Sequence, residues 1–259
     1  TYGKAVQLQG SYNSWLYHDD ATAAGIHLDP TFRLDGWTME MWVKTSLAAD
    51  GSYSVPEDDL QTLFSKGDDG ANAALSGNYN SFLYLQNNSS TENEWQVVYK
   101  ADTAGSMSAL LGTGTVTVNA WEHLALSYTT GTNNVDLYLN GTNIGSTTAK
   151  AQITNVSADM MFGGHRDTLT WESELDYKGQ LDDIRYWEGV RTASEINANK
   201  KVSLRGDEEG LIGYWRMDSN LNDSAGLGSP DNVDNALREI RAAAGAPGSS
   251  ADDITYVES

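Results

Sequence analysis

The chain contains no cysteine, which excludes disulfides, thiol catalysis and Cys-ligated zinc. It has no run of about 18 apolar residues, so no segment reads as a membrane-spanning helix. Histidine is scarce: His18, His27, His123 and His165 are the four, and none has the H-x-x-x-H spacing of a zinc pair. No G-x-S-x-G elbow exists for a serine nucleophile, and Gly163-Gly164 reads as a strand-end turn rather than a phosphate loop. Positive charge is also short. Sixteen Lys and Arg stand against 36 Asp and Glu, giving a formal charge of −20. Such a surface repels nucleic acid and anionic membranes. It suits hard cations, above all calcium, which takes carboxylate and carbonyl oxygens. The sequence begins at Thr1 without a visible leader, as a mature domain or a piece of a longer chain would, so the missing leader decides nothing about secretion.

What is present reads as β structure. The 259 residues are 39% hydrophobic with 8 Trp and 13 Tyr, enough for one large core. In Trp37–Thr45, Trp37, Met39, Met41 and Val43 fall on one face, while Trp42 makes the opposite face partly apolar. Leu124, Leu126 and Tyr128 share a face in Trp121–Thr129, as do Val135, Leu137 and Leu139 in Asn134–Asn140. Asn140-Gly141 is a strong hairpin signal. Further strands are expected at Lys4–Gln9, Asn13–Tyr17, Gln61–Lys66, Ser81–Gln86, Trp95–Lys100, Thr115–Val118, Met160–Phe162 and Leu211–Met217. Two stretches read as helix. Thr192-Ala-Ser-Glu195 is a capping box opening a helix to about Asn199, and Asp234–Ala244 is bounded by Gly245 and Pro247. The fold class expected is all-β: a two-sheet antiparallel β-sandwich, or jelly roll, with one or two short helices. A single domain over 1–259 is expected, with a long surface excursion at about 219–250 and a last strand at 253–257.

The order of motifs resembles the concanavalin A-like jelly rolls of the laminin-G-like and pentraxin-like type, in the lectin/glucanase superfamily. Gly3–Leu8 is similar to the family's first strand, and Trp37–Val43 and Leu63–Gly67 to the strands that follow. Trp121–Tyr128, Leu137–Gly141, Gly179–Trp187 with Arg191–Ile196, and Gly210–Asp218 continue the match in order. The resemblance implies an extracellular, secreted or cell-surface module, with calcium common among its relatives. Asp50–Leu60 and the tail after Asp218 are longer than that pattern needs, and such loops often carry specificity. Some relatives are glycanases with an E-x-D-x-x-E strand. Here the nearest match, Glu174-Leu-Asp176-Tyr-Lys-Gly179, has glycine at the position of the acid/base. The chain is therefore expected not to be an enzyme.

Two sets of candidate site residues emerge. Trp171 and Tyr177 could stack on a sugar, while Arg166, Asp167 and Glu172 of the same loop could bind its hydroxyls. The metal candidates are the acidic pairs Asp182-Asp183, Asp19-Asp20 and Asp68-Asp69. Asp182 and Asp183 lie in a run that otherwise reads as a strand, so alternation sends one carboxylate inward and the other away. The alternatives for that pair are calcium, an internal ion pair with Arg185, or a capped turn. The expected function is calcium-supported carbohydrate recognition by a monomeric module of a larger bacterial surface adhesin. A protein- or peptide-binding adhesion module and a structural spacer are the alternatives.

Overall fold

The computed structural model describes residues 3–9, 16–18, 36–46, 60–66, 82–88, 94–100, 107–148, 160–164, 177–225, 238–239 and 254–258. Two antiparallel sheets face one another. The first combines β1 (Lys4–Gln9), β3 (Gly36–Thr45), β8 (Glu122–Thr129), β9 (Asn134–Leu139), β10 (Thr142–Thr148), β12 (Lys178–Glu188), β13 (Leu211–Trp215) and β15 (Ile254–Glu258). Its order is β10-β9-β8-β3-β12-β1-β15, with β13 also pairing with β12. The second combines β2 (Leu16–His18), β4 (Leu60–Lys66), β5 (Phe82–Asn88), β6 (Glu94–Lys100), β7 (Met107–Thr115), β11 (Met160–Phe162) and β14 (Arg238–Glu239), in the order β14-β2-β11-β4-β5-β6-β7. The jelly-roll sandwich expected from the sequence is the fold observed.

The core lies between the sheets. Val6, Leu8, Trp37, Met39, Met41, Val43, Leu181, Ile184 and Tyr186 point into it from the first sheet. They meet Leu16, Leu63, Phe64 and Phe162 of the second. Trp37 is stacked on Tyr128 with ring centroids 6.0 Å apart. The hairpin between β9 and β10 turns at Asn140 and Gly141, with φ of 54° and 85°, the two positive values an Asn-Gly turn supplies.

The outer face of the first sheet is covered as well. Helix α1, Ala193–Asn199, starts at the expected capping box: Thr192 accepts from the Glu195 N–H, and Glu195 accepts in return from the Thr192 N–H. It buries Ile196 against Ala125 and Tyr138. The chain then runs across the sheet to Leu204, which packs with Trp187, Leu211, Tyr214 and Ala225. This cover explains why Thr38, Glu40 and Trp42, on the side of β3 away from the main core, are buried too.

Three elements differ from the sequence reading. The strand expected at Thr115–Val118 is instead β7 at Met107–Thr115, where Gly112 and Gly114 interrupt the apolar alternation that would have revealed it. The helix expected over Asp234–Ala244 is contradicted at Arg238–Glu239, which pair with Tyr17 and Leu16 as β14. There the free edge of β2 outweighs local helix preference. Finally β10, TNIGSTT, was not read as a strand. It is a polar edge strand whose side chains are exposed or half-buried, so no apolar face marks it.

Candidate functional site

The site begins at an irregularity in β12. Along β3 the strand pairs over Gly179–Asp182 and Arg185–Glu188, and its other edge is shared between two partners. β1 pairs with Lys178–Leu181 and β13 with Ile184–Trp187, and Asp182-Asp183 falls between them. Against β3, Asp182 opposes Trp42 and Arg185 opposes Glu40, so three steps on one strand match two on the other. The extra residue is a β-bulge, with Asp183 at a left-handed φ of 55°. The bulge breaks the alternation expected of the two aspartates: both line the same cleft on the outer face of the sheet.

This open cleft has a volume of about 740 Å³. Trp121 supplies its exposed aromatic surface, the buried Trp42 and Tyr214 also line it, and Asp182, Asp183, Asp218, Lys200, Lys201 and Arg216 surround it. Asn140 and Ser203 add neutral polar groups. Its walls are fixed by hydrogen bonds. The Trp42 indole N–H donates to the Lys200 carbonyl at 2.7 Å. The Lys200 ammonium donates to the Asn140 carbonyl at 2.6 Å, which ties the end of α1 to the β9–β10 turn. Arg185, 1% exposed, donates to the carbonyls of Asn199 and Val202, both at 2.8 Å, and to the Asp183 carboxylate at 2.5 Å. The internal ion pair is thus the alternative realised for Asp183.

The electrostatics follow from this packing. Asp182 is buried, and its carboxyl is pushed up to about 8, first by burial and then by the neighbouring charges of Asp183 and Asp218. The Lys200 ammonium is pushed down by burial and then by Lys201 beside it. The Tyr214 hydroxyl is pushed up by burial and then by Asp183, and the Arg216 guanidinium is held up first by its hydrogen bond with Tyr214.

Beneath the cleft, Glu40 and His123 are fully buried, with the Glu40 carboxylate 3.3 Å from His123 Nε2 and 3.2 Å from Arg191 Nε. These are close polar contacts without aligned hydrogen-bond geometry, since the same atoms find no well-directed partner. His123 packs its ring edge-on to Trp42 at 5.2 Å, and Arg191 lies 3.9 Å over the Trp187 ring.

Of the sequence-derived candidates, the structure places three. Asp182 and Asp183 line the cleft. Tyr177 is a correction: it is fully buried in the core and bonded to the Thr45 hydroxyl at 3.1 Å, so its ring has no face open to a sugar. Arg166, Asp167, Trp171, Glu172, Asp19, Asp20, Asp68 and Asp69 lie outside the described residues. Among the described residues, no group of three or more His, Asp or Glu is gathered to hold a metal ion. Asp183 is already neutralised by a buried guanidinium, a poor setting for a second cation. Gly179, at the acid/base position of the glycanase pattern, has no room for a side chain: a Cβ there would stand 2.5 Å from the Lys44 carbonyl oxygen.

Sequence reasoning missed Trp121, Tyr214, Lys200, Lys201, Arg216 and Asp218 as site residues. One signal was available: Lys200-Lys201 is the only adjacent pair of basic residues in this acidic chain.

A family model described as the concanavalin A-like lectin/glucanases superfamily, Laminin_G_3, matches residues 18–197. No curated protein matches the chain significantly. Among solved structures, a Bacteroides ovatus protein with a proposed carbohydrate-binding role aligns with TM-score 0.57 at 18% identity, over 84% of this chain and 52% of its own. The chain thus spans about half of that protein's length. The heptameric SAP-like pentraxin of Limulus polyphemus aligns with TM-score 0.56 at 14% identity, over 84% of this chain and 90% of its own. The CBM40 domain of Ruminococcus gnavus IT-sialidase bound to alpha2,6 sialyllactose gives TM-score 0.50 at 15% identity, over 75% of this chain and 95% of its own.

Proposed function

The chain belongs to the concanavalin A-like lectin/glucanase superfamily, and from that premise we propose that it is a non-catalytic carbohydrate-binding module. The observation that carries this reading is the cleft over β3, β12 and β13. It presents the half-buried Trp121 beside amide, hydroxyl, carboxyl and cationic groups in one place. Sugars are recognised by that combination, an apolar ring face against the C–H side of the pyranose and hydrogen-bonding groups around its hydroxyls. The Bacteroides ovatus and Ruminococcus gnavus relatives support the same direction. The Gly179 packing supports a binding rather than a hydrolytic role, since no carboxyl can stand at that position.

The setting proposed is extracellular, as an adhesion module of a larger secreted or surface protein. Calcium enters through the acidic pairs Asp19-Asp20 and Asp68-Asp69, because the Asp182-Asp183 pair is committed to Arg185 and to its own burial. The test is a glycan array read with the wild-type protein and Trp121→Ala. Wild type binds a defined set of saccharides, and the variant loses about tenfold in affinity, the order expected when one aromatic platform worth ~1.4 kcal/mol is removed. Binding of peptides with no saccharide competition would overturn it in favour of a peptide-binding module.

A further inference from the structure

The cleft concentrates the chain's scarce positive charge. The protein carries −20 overall, yet Lys200, Lys201 and Arg216 converge on this one depression. The carboxylates facing them are largely spoken for. Asp183 is paired with Arg185 at 2.5 Å, and Asp182 is buried with its acid form favoured. Asp218 remains, and one of its oxygens accepts the Lys4 backbone N–H at 3.3 Å. With the Lys200 ammonium committed to the Asn140 carbonyl, Lys201 and Arg216 are the two exposed cations of the cleft, beside the exposed carboxylate of Asp218.

Resting on the carbohydrate-binding reading above, we infer that the cleft selects glycans bearing an anionic group, a carboxylate or a sulfate, held by Lys201 and Arg216 while Trp121 carries the sugar ring. Arg216 suits this role geometrically. Its guanidinium donates to Ser203 Oγ at 3.1 Å and to the Leu204 carbonyl at 3.3 Å, and stands 5.6 Å from the centre of the Tyr214 ring. It is thus fixed before a ligand arrives, which lowers the ordering cost of binding. Both bonds leave from Nη2, so Nη1 remains to give a charged hydrogen bond to a carboxylate or sulfate oxygen. Lys201 is exposed and supplies an ammonium that can follow the ligand.

The experiment is titration calorimetry with a short oligogalacturonate, with its methyl ester, and with a sulfated galactose oligosaccharide. The uronate or the sulfated sugar is expected to bind at least about tenfold more tightly than the neutral ester, a gap of ~1.4 kcal/mol. Which of the two does so identifies the anion. Arg216→Gln and Lys201→Gln should each bring the affinity for the anionic sugar down to within about twofold of that for the ester, and a preference kept at wild-type size in both variants overturns the inference. Because Lys201 is exposed, its variant is expected to melt with wild type, so a loss of preference there cannot come from misfolding. Equal or tighter binding of the ester overturns the inference but leaves the carbohydrate-binding reading standing. Binding of none of the three while other saccharides bind on the array overturns the inference alone, and binding of no saccharide at all overturns both.

Discussion

At the residue scale, Asp182 shows how a single carboxyl reports on its surroundings. Its alternation in the strand was legible in sequence. The bulge that places it on the same side as Asp183 was not, because a bulge depends on which strands share the edge of β12. The pairing of Asp183 with Arg185, two residues on, was one of the alternatives the sequence offered and is the one formed. Burial with like charges raises the Asp182 pKa from the usual carboxyl range to about 8. Between roughly pH 4 and pH 8 the folded state then holds a proton that the unfolded state has released, so stability falls as pH rises through that window. Asp182→Asn removes this dependence. Its melting temperature is expected to exceed that of wild type at pH 8, with a flatter profile from pH 4 upward, as thermal unfolding across a pH series would show. A variant profile parallel to wild type would mean that Asp182 is ionised in the folded protein.

At the element scale, the strands whose apolar residues alternate and the helix with its capping box were legible, because their signals are local. Trp37, Met39, Met41 and Val43 announced β3, and Thr192 with Glu195 announced α1. β7, β10 and β14 were not, since glycine, polar edge composition and a borrowed partner carry no apolar period. Nor did the sequence show that both faces of β3 are buried. The second face is held by Glu40, placed between His123 on β8 and Arg191 on the segment leading into α1. Removing the Glu40 carboxylate leaves the Arg191 guanidinium, 13% exposed, without its buried counter-charge. Glu40→Ala is therefore expected to destabilise by about 3–5 kcal/mol. In urea this reads as a lower midpoint at an unchanged slope. A loss below about 1 kcal/mol would show that the cluster contributes no more than a surface pair.

At the scale of the whole molecule, the fold was legible from motif order, and the site only in part. Tyr177 was drawn into the ligand set by its place in an aromatic, acidic loop, yet the structure gives it to the core. The cleft escaped notice because its walls come from distant parts of the chain: Trp42, Trp121, Lys200 and Tyr214 are brought together only by the crossing of α1 and the segment after it. The charge of −20 also bears on stability as a whole. Calcium held at Asp19-Asp20 or Asp68-Asp69 should stabilise the folded chain by about 2.7 kcal/mol at a hundredfold excess over its Kd. Melting in calcium and then in excess EDTA, at fixed ionic strength, is expected to differ by several degrees. No difference would remove calcium from the proposal.

The most direct test of the central claim is the saccharide-binding measurement on wild type and Trp121→Ala side by side. A saccharide that binds the wild type and loses about tenfold in affinity in the variant places carbohydrate recognition in the cleft. Undiminished binding by the variant, or no saccharide binding by the wild type at all, would contradict it.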